Sequence, residues 1–411
     1  REPVQTLENL EMKKTLVAIA ALTAVSAFAQ VTLTGYMDRA YTITNSTLDT
    51  ADAKALSSSA GTTGIVIAAS EDLGGGMRAG ASIATDWAEA GGLTQDGSSY
   101  AVGTAGGNIP TANGSFGNAQ SFLFIQDAKL GTLRLGNINN EVLTAVTGVG
   151  SPFSTGVGSA YSANFSVHDG YGSGTSGRNN QVINAAASAT NVGVRGIRQV
   201  NTIKYVSPKF MDVTVSYGFT TKNDNAPVTI AGTTTNPSNS TLGVTDMSIR
   251  YQAGPVDVMY ATLKYKVGAD TTANGGTLTG TAGLTANSTN THSVLAASYA
   301  VMPSLKISAA TGGSKASVDS IANSKFTQYG IVYTMGNFDV MAQMATVDNK
   351  NAATATVTGD RKMTGLGLNY NFTKTARAYV RYDNLKYADG AATATPGSEV
   401  KRTAIGISKS F

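Results

Sequence analysis

From about residue 30 to the end of the chain, apolar and polar residues alternate in segments of about ten residues. A period of two places one face of each segment in an apolar medium and the other in water. Sixteen such segments can be counted, among them Val31 to Ile43, Gly61 to Ser70, Met77 to Trp87, Arg198 to Val206, Phe338 to Val347, Ala376 to Tyr387 and Lys401 to Phe411. Their connections alternate too. Short ones such as Glu71 to Gly76, Ser207 to Met211, Ala253 to Pro255 and Met335 to Asn337 carry the Gly, Pro or Asn that tight turns require. Between them lie long ones rich in Gly, Thr, Ser and Asn, such as Glu89 to Asn118, Ile138 to Ile197 and Gly268 to Thr291. The pattern predicts an all-β fold: a transmembrane antiparallel β-barrel of 16 strands, with short periplasmic turns, long extracellular loops and both termini on the periplasmic side.

A soluble β-sandwich or a surface adhesin also has many short strands, but its loops need not alternate in length. The side-chain parity separates the cases. In Ala376 to Tyr387, Ala378, Val380 and Tyr382 share one face, and Arg377, Tyr379, Arg381 and Asp383 share the other. A dry sandwich core would not tolerate two inward arginines, whereas a water-filled lumen would.

The N-terminal region reads differently. Residues 1–11 have no apolar periodicity and read as an upstream, non-structural segment. Residues 12–29 read as a signal peptide: Lys13 and Lys14, an apolar run from Thr15 to Ser26, then Ala27-Phe28-Ala29, with cleavage expected between Ala29 and Gln30. The run is too short to span a bilayer, which takes roughly 20 residues. Residues 30–411 are left as the barrel. With 0 Cys and a 42% hydrophobic fraction, an exported chain must rely on a continuous hydrogen-bonded sheet and not on disulfides.

Enzyme chemistry finds little support. His168 and His292 are the only histidines, and neither lies in an acid-rich or nucleophile motif. No metal-ligand spacing appears, and the Gly103 to Gly107 stretch lacks the lysine and helix of a phosphate cradle, so no cofactor is expected. The surplus of +4 is scattered along the chain, which argues against nucleic acid as a partner. A substrate-specific channel would be expected to carry an aromatic slide, yet Trp87 is the only Trp. The polar loops leave room for a secondary adhesive role.

Three stretches carry a family resemblance: Val31 to Tyr36 as a first strand, Ser70 to Met77 as a first turn, and Leu130 to Asn137 before the long third connection. With the terminal aromatic Phe411, their order and spacing resemble the general trimeric porins of Gram-negative outer membranes, in the β-proteobacterial branch. The resemblance implies a homotrimer embedded in outer-membrane lipid that passes small ions and hydrophilic solutes. It also implies that the last strand, ending at Phe411, is read by the barrel-insertion machinery, and that the third loop folds back to narrow the lumen. Lys409 departs from the apolar or aromatic residue that many such strands carry near their end.

The equivalent third loop, about Ile138 to Ile197, contains the acids Glu141 and Asp169 against Arg178 and Arg195. The strongly acidic loop of cation-selective relatives is missing. On the wall, parity turns Arg78, Arg134, Lys204 and Arg250 toward water, because a charge on the lipid face costs about 2 to 4 kcal/mol near the midplane. Arg39 breaks the rule, sharing parity with Leu33 and Met37, which suggests the rim or a subunit contact. Charged rings select ions by field, so the sequence suggests weak to moderate anion preference. Arg78 and Arg134 would carry it, with help from Arg198, Lys204, Arg377 and Arg381. The alternative is that these are solvated wall residues at various depths with no net effect.

Overall fold

The computed structural model describes residues 30–47, 52–86, 117, 119–161, 198–220, 228–230, 233–235, 243–266, 272–273, 276–277, 289–316, 324–349, 361–387 and 399–411. Within them, sixteen antiparallel strands close into a barrel: β1 (Gln30–Ser46), β2 (Gly64–Gly74), β3 (Met77–Asp86), β4 (Ser121–Asp127), β5 (Gly131–Asn139), β6 (Arg198–Val206), β7 (Val213–Thr220) and β8 (Gly243–Ala253), followed by β9 (Val256–Lys266), β10 (Thr289–Met302), β11 (Leu305–Ala316), β12 (Ser324–Met335), β13 (Phe338–Asn349), β14 (Arg361–Asn371), β15 (Ala376–Tyr387) and β16 (Glu399–Ser410). A short strand, Ala53–Ser57, continues the line of β2 beside the far half of β1.

Each strand pairs with its sequence neighbour, and β1 pairs with β16 from Tyr36↔Ser410 to Ser46↔Val400. Closure leaves no sheet edge and pairs every ladder within the wall, which is what a membrane demands. At the seam Gly35 and Phe411 exchange backbone hydrogen bonds of 2.9 and 3.0 Å. The Phe411 ring lies over Gly35, in the space a Cβ there would fill.

One end of the barrel has tight turns. Gly75, Gly254 and Gly336 hold φ of +64°, +53° and +60°, the left-handed region that glycine enters without steric cost. Asp127 Oδ1 accepts from the Lys129 and Leu130 N–H groups at 2.7 and 2.8 Å and ties the β4–β5 turn.

The parity reading holds on the outer wall. Leu33, Leu123, Tyr329 and Ile407 are each 60% or more exposed and point outward, while their sequence neighbours point in. The inner wall is less uniform than alternation suggests. Met259, Ala261 and Leu263 on β9, Val294 and Ala296 on β10, Phe326 on β12 and Val347 on β13 face inward and are buried. They form an apolar core inside the barrel, against Val142, Leu143, Ala145, Val146 and Val149 of the third long connection. That connection folds into the lumen, as the resemblance implies, and dries half of the wall.

Candidate functional site: the loop-narrowed lumen

The inward connection starts at Asn140, whose side chain accepts from the Leu143 N–H at 2.9 Å and caps a short helix, α1 (Glu141–Leu143). This runs on as a π-helical turn, Thr144–Val149. The apolar side of the segment packs on the inner core, and polar side chains of the wall fix its backbone. Gln328 of β12 donates to the Val146 and Gly150 carbonyls at 3.0 and 2.9 Å. Gln343 of β13 accepts from Ser151 Oγ and the Ala160 N–H at 3.1 and 3.2 Å. Asp383 of β15 accepts from the Gly158 N–H at 2.9 Å.

A buried carbonyl left without a donor costs about 1 to 3 kcal/mol. Replacing Gln328 with Leu strands two of them, so a lower thermal midpoint by circular dichroism is expected. An unchanged midpoint would show that other donors hold the segment.

A buried ion cluster anchors the start of the loop. Lys204 of β6 bonds Glu141 and, at 2.9 Å, Asp246 of β8, and donates to the Asn139 carbonyl at 3.0 Å. Asp246 also accepts from the Glu141 N–H at 2.9 Å. Lys204 points inward, as parity predicts, but is only 2% exposed. Its charge is therefore spent on the loop anchor and not presented to solutes.

The other sequence-selected residues fall into two groups. Arg250 makes a two-pronged pair with Asp257 at 2.8 and 2.6 Å, and Arg198 reaches Asp86 at 3.4 Å. The guanidinium groups of Arg78, Arg134, Arg377 and Arg381 have no carboxylate partner among the described residues. Arg78 donates to Ser70 Oγ at 2.7 Å. Arg134 stacks on the Phe122 ring at 5.3 Å. Arg377 donates to Ser408 Oγ and the Tyr36 hydroxyl, each at 3.1 Å. Arg381 donates to Asn369 Oδ1 at 3.2 Å and is sandwiched between Phe153 of the loop and Tyr379, at 5.0 and 5.5 Å. At 2% exposed it lies, like Lys204, behind the loop and does not present its charge to solutes, contrary to the parity reading. Asp169 lies outside the described residues.

Among the described residues, the carboxylates around the loop are mostly neutralised. Glu141, Asp246, Asp257, Asp86 and Asp383 each meet a base, Asp383 through Arg402 at 2.6 Å. Asp38 is buried, accepting from the Ser59 and Ala60 N–H groups, both at 2.6 Å, and from the Tyr379 hydroxyl at 2.6 Å. Asp339, by the short turns, is held by Thr334 and Asn371.

Sequence reasoning missed Asp246, Gln328 and Gln343, and placed Asp383 on the inner face without giving it a role. The available signal was a polar side chain at inward parity beside small residues such as Ala345, Gly330 and Gly365, which make room for a loop. Among the described residues, no three His, Cys, Asp or Glu side chains gather where they would hold a metal ion.

A closed antiparallel barrel with an apolar outer band, a charged inner wall and a loop folded inside is an outer-membrane channel. The chain belongs to the Gram-negative porin family, whose model matches residues 15–390. No curated protein sequence matches it. Among solved structures it is similar to the anion-selective porin from Comamonas acidovorans, with a TM-score of 0.65 and 18% identity over 93% of this chain and 100% of that one. It is also similar to outer-membrane expressed OmpT of Vibrio cholerae, with a TM-score of 0.56 and 13% identity over 93% and 98% of the two chains. Salmonella typhi OmpF, solved with daunomycin, gives a TM-score of 0.56 at 14% identity over the same shares. At these identities the shared property is the fold.

Proposed function

We propose that this outer-membrane porin is a general diffusion channel with weak to moderate preference for anions, working as a homotrimer. One observation carries the preference. Three guanidinium groups left partly or fully exposed on the inner wall, Arg78, Arg134 and Arg377, have no acidic partner among the described residues, while the acids nearest the loop are neutralised by bases. A low-dielectric wall focuses that unbalanced field into the lumen. The resemblance to a porin described as anion-selective is in keeping with this, but the charges and not the likeness carry the reading.

The trimer reading rests on the outer wall. From β6 to β15 it carries aromatic side chains such as Tyr205, Tyr217, Tyr260, Tyr329, Phe338 and Tyr370, suited to membrane interfaces. From β1 to β5 it is mostly aliphatic, with Val31, Leu33 and Leu123 around Ala69, Ala79 and Ala81, and Tyr41 is the outward ring on β1. Arg39 sits outward in this region, beside Ile407 in register. A charge there is costly against lipid and acceptable against a neighbouring subunit.

Three further readings accompany it. Phe411, outward at the seam, serves as the assembly signal of the last strand. Cleavage falls between Ala29 and Gln30, where the small-x-small run Ala27-Phe28-Ala29 ends. The protein works as a channel without a catalytic role, with His292 buried on the inner wall of β10.

Purified protein added to a planar bilayer should give stepwise openings grouped in threes. Light scattering in detergent should give three chains per particle. Absence of conductance would defeat the channel reading, and a monomeric mass with single openings would defeat the trimer.

A further inference from the structure

The inward face of β3, β4 and β5 carries four side chains that the loop anchors do not use: Arg78, Phe122, Phe124 and Arg134. Register places Phe124 between Gly80 and Arg134, and Phe122 between Ser82 and Gly136. Gly80 gives the Phe124 ring a place to lie against the wall: a Cβ there would come within 2.6 Å of it. The two rings are 6.4 Å apart and tilted by 55°. Arg134 lies over the Phe122 ring. Arg78 bonds Ser70, which faces Gly80 in register, so its guanidinium reaches toward the level of Phe124.

Cations and rings therefore alternate along one strip. The strip differs from the rest of the inner wall in two ways. Inward apolar residues of β9, β10, β12 and β13 are buried beneath the third loop, whereas Phe122 and Phe124 stay partly exposed, at a cost in apolar area facing water. Of the other inward bases, Lys204, Arg250 and Arg402 meet carboxylates and Arg381 is buried, whereas Arg78 and Arg134, which like Arg377 have no carboxylate partner among the described residues, lie beside the partly exposed phenyl rings. Free guanidinium forks pair with carboxylates in two-pronged fashion, and exposed phenyl rings favour tilted contact with another ring. A solute that satisfies both is a small anion carrying a planar ring.

We propose that this strip is a binding surface for aryl carboxylates in transit, which the channel passes by way of Arg134 and Arg78 with Phe122 and Phe124 as the ring platform. The proposal rests on the anion-favouring channel reading. Its test uses the purified full-length channel in a planar bilayer in KCl, with benzoate, cyclohexanecarboxylate or benzyl alcohol added. Cyclohexanecarboxylate keeps the charge and bulk but has no π face, and benzyl alcohol keeps the ring without the charge.

Benzoate is expected to halve the current at about three- to tenfold lower concentration than either control, the size of effect that ring and cation contacts supply. Phe122→Leu with Phe124→Leu should bring benzoate to the level of cyclohexanecarboxylate, with assembly checked by the conductance steps in KCl. If that double variant does not assemble, Phe124→Leu alone should shift benzoate in the same direction. Arg134→Gln should weaken both carboxylates together. Equal block by benzoate and cyclohexanecarboxylate, or a benzoate block untouched by the Leu variants, would overturn the proposal while leaving the channel intact. A cation-favouring reversal potential in the same membranes would overturn it through the reading beneath it.

Discussion

Valine at position 365 is expected to lift the third loop from the barrel wall. Gly365 sits on the inner face of β14, and a Cβ there would fall 2.0 Å from the Gly158 carbonyl oxygen and 2.7 Å from its Cα. Both contacts are backbone, so no side-chain rotation relieves them. Gly158 itself has φ of +97° and donates to Asp383, so it cannot yield without breaking that bond. Overpacking of this kind typically costs about 1 to 3 kcal/mol. Because the wall ladder Gly365↔Asp383 and Gly365↔Gln343 is made by backbone, the barrel should persist while the loop moves. The expected result is a higher single-channel conductance together with a lower thermal midpoint. Wild-type values of both would contradict the packing described.

The second large effect is expected at the loop anchor. Lys204→Met removes the one cation between Glu141 and Asp246 and leaves two carboxylates in a buried site, with Asp246 only 4% exposed. Breaking a buried ion cluster at one partner costs about 3 to 5 kcal/mol, whereas replacing all the charges together can be nearly neutral. The single variant should therefore unfold well below the wild type in detergent. The triple variant Lys204→Met, Glu141→Gln, Asp246→Asn should recover most of the loss. A triple variant no more stable than the single one would show that the charges are needed for the loop to fold, and not merely balanced there.

How much of this was legible in the sequence differs by layer. The wall was legible because lipid on one side and water on the other impose a period of two. The β6 segment is found at Arg198–Val206 and the β15 segment at Ala376–Tyr387, as the alternation indicates. The second strand was read as Gly61 to Ser70 and is found at Gly64–Gly74, with Ala53–Ser57 as a separate piece. The difference arises at Ser58 to Thr63, which leave the ladder, with Ser59, Ala60 and Gly61 donating backbone N–H groups to the Asp38 carboxylate. That partner is some twenty residues away and gives no local sign.

The site was legible in direction and illegible in partnership. Parity turned Lys204 and Arg250 inward, and both are inward. Nothing local showed that Lys204 would meet Asp246 42 residues away, or that Arg250 would be clasped by Asp257 across a tight turn. The inward apolar residues of β9 and β10 were equally opaque, since apolar side chains on both parities make sense only once a loop covers one of them. Charge sign can be read along a chain, but neutralisation depends on contacts between distant strands.

The most direct test of the central claim is the zero-current potential of the wild-type channel across a KCl gradient. Three guanidinium groups on the inner wall without a carboxylate partner among the described residues predict a potential of the sign that marks chloride as the more permeant ion, falling toward zero when Arg78, Arg134 and Arg377 are replaced by Gln. A potential of the opposite sign in the wild type would contradict the account.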